Sequence, residues 1–230
     1  MKSYDVVVCG GGHAGIDAAL ISLKLGCKTA LVPMNKRAIG RMSCNPAIGG
    51  LSKGQIVKEM DILGGMMGFA TDFSAIQFKI LNQSKGKSVW SPRAQVDKRI
   101  YESFVLNKIV ASNLEVVEGE VVDIIHKNEN IKGIVLRDGS KIKAKSVILT
   151  CGTFLNGLIH IGQRKIRAGR MGESAADGIT ESLVKMGLKS GRLKTATPPR
   201  INKNSIDLIL GKTTPDDIIN NIFSHMCVGK

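Results

Sequence analysis

Two features of this chain have residue types and spacings suited to chemistry. The first is Gly10-x-Gly12-x-x-Gly15. At this spacing the first glycine allows a tight turn and the second lets backbone N–H groups approach a pyrophosphate, while the third lets a helix pack closely on a strand. A helix starting there presents unpaired N–H groups and a partial positive charge to the phosphates. The second feature is Cys44, in the loop Met42-Ser43-Cys44-Asn45-Pro46-Ala47-Ile48-Gly49-Gly50. A thiol near the N-terminus of a following helix has a depressed pKa and serves as a nucleophile or thiolate base. The glycine pair after it lets either a flat cofactor ring or the chain itself come close. Each feature has a plainer alternative: a glycine-rich turn without a ligand, and a buried structural cysteine.

The flanking sequence supplies the elements that such features need. The apolar run Val6 to Cys9 suits a buried parallel strand, and Ala14 to Leu25 has a helical pattern stopped by Gly26. Cys27 to Val32 reads as a second strand, completing a β-α-β unit of about 30 residues. Dinucleotide folds usually carry Asp or Glu at the end of that strand for a ribose hydroxyl. Here the positions read Val32-Pro33-Met34-Asn35, so Asn35 or a backbone group takes the role, or the adenosine end is held differently. The gap argues against a plain NAD-dependent dehydrogenase. Ser52-x-x-Gln55 reads as a capping box opening a helix to about Leu63, with Ile56, Met60 and Leu63 on one face and Gly64-Gly65 as its stop.

Beyond Leu114 the period changes. Val116 to Ile125, Ile131 to Leu136 and Ser140 to Lys143 read as short strands, with turns at residues 127–130 and at Asp138-Gly139. Val147 to Gly152 then repeats the form of the first strand and returns Gly152 to the glycine-rich end. A β-meander (about 114–146) inserted in a Rossmann-like α/β domain is the layout of two-dinucleotide-binding flavoproteins, which favours FAD over NAD at this site. The expected division is a FAD-binding domain over 1–155 and the start of a second domain over 156–230.

Composition narrows the classes further. No stretch approaches the roughly 18 to 20 apolar residues of a membrane span, and Met1 to Asp5 runs straight into the first strand, leaving no room for a signal peptide. A soluble cytoplasmic protein is expected. The five cysteines are scattered and never form Cys-x-x-Cys, which argues against a zinc site or a disulfide framework. The formal net charge is +14, and residues 161–203 hold half of that excess. Arg164, Lys165, Arg167, Arg170, Arg192, Lys194 and Arg200 there suit nucleic-acid phosphates, or else an ordinary solvated surface. Aromatic residues, at 4%, do not support a base-stacking platform.

Several longer runs carry a specific likeness. They are Gly10-Gly11-Gly12-His13-Ala14-Gly15, Met42 to Gly50, Ile76 to Asn82 with Ser84-Lys85-Gly86, Arg93-Ala94-Gln95-x-Asp97, Leu149 to Leu155, and Gly191-Arg192-Leu193-Lys194-Thr195-x-Thr197-Pro198-Pro199-Arg200. On these the chain resembles the N-terminal part of the tRNA wobble-uridine 5-carboxymethylaminomethyl modification enzymes, the MnmG (GidA) family. The resemblance implies FAD held by Gly10, Gly11, Gly12, His13, Ala14, Gly15 and Gly152. It implies that Asn45, Gly49 and Gly50 line the flavin ring and that the Val121 backbone meets the adenine end. Cys44 matches one of two catalytic cysteines, and Arg170, Lys194 and Arg200 fall to RNA contacts. Methylenetetrahydrofolate and NADH are the implied co-substrates, tRNA the substrate, and a GTPase of the MnmE family the partner. The implied assembly is a homodimer, forming a heterotetramer with the GTPase.

The sequence departs from the family pattern at Lys87-Ser88-Val89 and at Ala196, and residues 203–230 match weakly. Family members are longer, so the expectation is an N-terminal fragment without the second cysteine, the rest of the NAD-binding segment or the C-terminal RNA-binding region, and inactive alone. Two alternatives belong beside it: a folate- and FAD-dependent tRNA uridine 5-methyltransferase, and a non-catalytic FAD- or RNA-binding module.

Overall fold

The computed structural model describes residues 2–42, 45–170 and 172–193. β1 (Ser3–Cys9) leads into α1 (His13–Lys24), and the chain returns through β2 (Thr29–Val32), which pairs parallel with β1. Gly26, at φ +84°, takes the left-handed conformation that ends α1. A smaller unit follows: β3 (Ala47–Gly49), α2 (Lys53–Ile62), α3 (Met67–Ser74), β4 (Ala75–Leu81) and β5 (Ser91–Val96), with the strands in the order β3-β5-β4. The long α4 (Lys98–Ala111) then leads to β6 (Glu115–Val116), β7 (Val121–Lys127), β8 (Asn130–Leu136) and β9 (Lys141–Leu149). β10 (Leu158–Ile161) and β11 (Arg164–Arg167) form a separate ribbon before α5 (Ile179–Lys185).

The main sheet has the order β6-β2-β1-β9-β8-β7. Period-two alternation along β1 divides the core between its two faces. Val8 and Leu31 point toward α1 and α4, packing with Ile16, Ala19, Tyr101, Val105 and Ile109. Val7, Cys9, Ala30 and Val32 point the other way, onto Ile124 and Ile134 of the meander and Ile179 of α5. The parallel strands are therefore covered by helices on one face and by the meander on the other. This is the expected α/β, Rossmann-like architecture with its inserted meander. The α5 segment folds back onto it, since Ile179 enters the same core.

Three local expectations change. The run Val116 to Ile125 is two strands, because residues 117–120 leave the sheet edge: Val117 N–H donates to Leu31 O (2.9 Å) and Gly119 N–H to Pro33 O (3.0 Å). Ser140 to Lys143 and Val147 onward are one strand, since β9 pairs antiparallel with β8 in its first half and parallel with β1 in its second. The α2 helix is present, but Ser52 does not cap it: its side chain makes no capping hydrogen bond and its backbone sits at φ +61°. The Gln55 amide turns instead toward Trp90 O (3.4 Å). The Ile56 and Leu63 face of α2 is not packed either, as both residues are exposed.

Candidate functional site

The site is built where β1 ends and α1 begins. Gly10 has φ +121°, and a Cβ there would stand 2.5 Å from Thr150 O. A Cβ on Gly15 would stand 1.9 Å from Gly10 O and 2.6 Å from Thr150 Oγ1, so helix and turn meet without room for any side chain. A Cβ on Gly11 would press on Pro33, at 2.8 Å. Gly12 is different: among the described residues nothing lies within 4 Å of its Cβ position, and its φ of −77° suits any residue. Tight contact behind and open space in front make a cradle whose front wall is missing.

Thr150 fixes this geometry. Its hydroxyl donates to Cys9 O (3.0 Å), and its N–H donates to the same carbonyl (2.9 Å). Gly10 N–H donates to Val32 O (2.9 Å) and Gly40 N–H to Gly11 O (3.0 Å), which ties the loop to both flanking segments. Facing the open side are the first-turn N–H groups of His13, Ala14 and Gly15, which no carbonyl within the helix can reach. Together with the helix dipole they form an anion-binding end.

Charge around the loop is organised by one carboxylate. Glu173 accepts from Arg41 Nη1 (2.6 Å) and lies 3.8 Å from Arg170 Nη1. The Arg170 guanidinium also stacks over Phe154, 4.8 Å from the ring centroid. Burial, and secondarily the charge of Arg170, lowers the His13 pKa, and among the described residues the buried His13 Nε2 has no hydrogen-bond partner. The His13 ring packs 5.5 Å from Tyr101, beside a cavity of about 10 Å³ that is too small for a ligand. Burial pushes the Cys9 thiol up to about 12 and raises that of Cys151, so neither is poised as a nucleophile.

The remaining predicted positions divide. Gly152 lies three residues beyond the end of β9, with φ +59°. Val121 is buried at the start of β7, directly after the segment that crosses Pro33. Gly49 must be glycine because β5 approaches it: a Cβ would meet Pro92 O at 2.2 Å, so the chain itself fills the space there. Gly50 N–H donates to the same carbonyl (2.9 Å), and Asn45 precedes β3 with its carbonyl turned to Ala47 N–H (2.8 Å). The Asn35 side chain is occupied, accepting from Arg37 N–H (2.8 Å). Glu118, just beyond the neighbouring β6, reaches the same turn, accepting from Lys36 N–H (2.7 Å). Cys44, Lys194 and Arg200 lie outside the described residues. Thr150, Arg41, Glu118 and Glu173 are contributors that the sequence reading missed, because each acts on the loop from a distant segment. A surface hollow of about 290 Å³ between Phe73 and Phe104 contains none of the predicted residues.

The sequence model of the family described as glucose inhibited division protein A matches residues 5–228. The chain belongs to this family. The tRNA uridine 5-carboxymethylaminomethyl modification enzyme MnmG of Flavobacterium psychrophilum is 50% identical, over 100% of this chain and 37% of its own length. That of Protochlamydia amoebophila is 47% identical, over 93% of this chain and 34% of its own. The structure of Aquifex aeolicus GidA is 49% identical and superposes with a TM-score of 0.76, over 80% of this chain and 31% of that one. A GidA-related protein from Thermus thermophilus, 14% identical with a TM-score of 0.56, shares the fold. This glucose inhibited division protein A family chain thus spans about a third of the length of the curated relatives it matches.

Proposed function

We propose that this chain is the flavin-binding part of a tRNA-modifying enzyme that builds a carboxymethylaminomethyl-type group on carbon 5 of the wobble uridine. The observation that carries this reading is the cradle at Gly12, open in front and closed behind by Gly10, Gly15 and Thr150. Its first-turn N–H groups fit the diphosphate of FAD, and a side chain at Gly12 would fill the space the diphosphate needs. Bound there, the flavin supplies the redox chemistry of one-carbon transfer, with methylenetetrahydrofolate as carbon source and NADH as electron donor.

The protein's own groups do the rest. Thr150 and the Gly10 turn hold the α1 N-terminus in place, and Arg41 and Arg170 add positive charge beside it. In this reading Asn45, Gly49 and Gly50 line the flavin ring, Gly152 helps to hold FAD, and the Val121 backbone meets the adenine end. Cys44 is the nucleophile in this reading: its thiolate adds to the uracil ring and makes carbon 5 reactive. A GTPase of the MnmE family and a second copy of the enzyme complete the assembly, on the strength of the family likeness.

The test is a chimera in which this chain replaces the first third of the Flavobacterium psychrophilum relative, with wobble nucleosides read by mass spectrometry. The expected result is modified uridine from the chimera and none from its Cys44→Ala or Gly12→Asp variants. Undiminished product from both variants would overturn the assignment.

A further inference from the structure

We infer that the β10–β11 ribbon is the surface by which this chain grips the phosphates of its RNA, an inference that rests on the tRNA reading above. The ribbon leaves the sheet through the turn that follows β9, at the end where the Gly10–Gly15 loop lies. Its base is fixed: Ala168 N–H donates to Gly157 O (3.1 Å), and a Cβ on Gly157 would meet Ala168 O at 2.5 Å. A two-residue turn with Gly162 at φ +55° closes its tip.

Register decides what the ribbon presents. Leu158 pairs with Arg167 and His160 with Lys165, which puts His160, Lys165 and Arg167 on one face. Arg164 sits beside Ile161 on the other face, near the tip. Every residue of β11 is exposed, and residues 158–168 contain no Asp or Glu. Among the described residues, neither Arg164 nor Lys165 has an ion-pair partner. Arg167 pairs with Asp177 (2.8 Å), but both side chains are exposed, and such a pair exchanges readily for a phosphate.

Spacing suits the same ligand. Lys165 and Arg167 are two residues apart on one strand, or about 7 Å, a separation comparable with successive phosphates along an RNA strand. The ribbon has no Phe, Tyr or Trp for stacking on bases, so it would mainly position the backbone rather than read sequence. Arg170, also expected from sequence to touch RNA, lies 3.8 Å from Glu173 and over the Phe154 ring. Other exposed cations lie elsewhere: Lys143 pairs with Ser3, at the far end of β1 from Gly10.

The experiment measures tRNA binding across a salt series for the unmodified chain, for Arg164→Gln with Lys165→Gln, and for Lys141→Gln with Lys143→Gln. The two variants lose the same charge, one at the start of β9 and the other beyond its end, at exposed side chains whose replacement is expected to leave the thermal midpoint unchanged. The ribbon variant is expected to flatten the slope of log K against log salt by about 1.5, from two lost phosphate contacts, and equally for different tRNAs. The control pair should change it little. A ribbon variant with the parent slope, or equal losses in both variants, overturns the ribbon as the contact. No binding by the unmodified chain overturns the tRNA reading for this part of the enzyme and the ribbon with it.

Discussion

Gly12 and Gly15 stand three residues apart in one motif, yet a side chain would have opposite consequences at the two positions. At Gly15 any Cβ collides with the Gly10 carbonyl, so Gly15→Val should lower stability and expression, as measured by thermal unfolding. At Gly12 a side chain meets nothing, so Gly12→Asp should keep the thermal midpoint while filling the cradle and adding like charge before a phosphate. His13 yields a separate prediction. Burial lowers its folded pKa below the unfolded value, so the unfolded chain binds the extra proton first. Stability is full above about pH 6.5 and falls as the pH drops through that value. In His13→Gln this part of the fall should be absent, which pH-dependent unfolding can check. A wild-type midpoint that stays level with the variant's across the same range would contradict it. The glycine motif made this region legible from sequence alone, because its spacing encodes backbone geometry. Thr150, Arg41 and Glu173 escaped notice because nothing local marks a residue that acts on a loop far away in the chain.

Among the elements, capping separates two helices that look alike in sequence. Asp97 accepts from the N–H groups of Arg99 (2.8 Å) and Ile100 (3.0 Å), so Asp97→Ala should destabilise the protein by about 1 kcal/mol in denaturant unfolding. Ser52 precedes α2 with an equally suitable side chain but caps nothing, and its positive φ favours glycine. Ser52→Gly should leave stability unchanged or higher; a loss comparable with that of Asp97→Ala would contradict the geometry. The β-α-β unit and the meander were readable because their apolar periods and glycine stops agree. The break at 117–120 was not, since an apolar run cannot show which residues leave one sheet edge for another. Residues 66–113 carried runs of the family likeness but no reading of their elements, although Tyr101, Val105 and Ile109 mark the buried stripe of α4 at helical spacing. Cys44, the most specific position in its loop, lies outside the described residues, so its role rests on the likeness.

For the molecule as a whole, fold and charge meet at the end of the sheet where β1 runs into the glycine-rich loop. Two cores back the same parallel strands, and the glycine loop, the Glu173-bridged arginines and the basic ribbon all gather where β1 and β9 end. No helix among the described residues is long and apolar enough to cross a membrane. The smaller unit leaves Phe69, Phe73, Ile76 and Phe78 exposed on α3 and β4, in a chain that covers about a third of its relatives' length. An apolar surface of that kind should bind a hydrophobic dye even in the folded state. The measurement that bears most directly on the central claim is the absorbance spectrum of the purified chain, with added FAD and after desalting, beside that of Gly12→Asp. Flavin bands should be retained by the parent chain and lost by the variant at an equal thermal midpoint. Equal retention by both, or none by a folded parent chain, would contradict the assignment of the Gly10–Gly15 cradle to the flavin diphosphate.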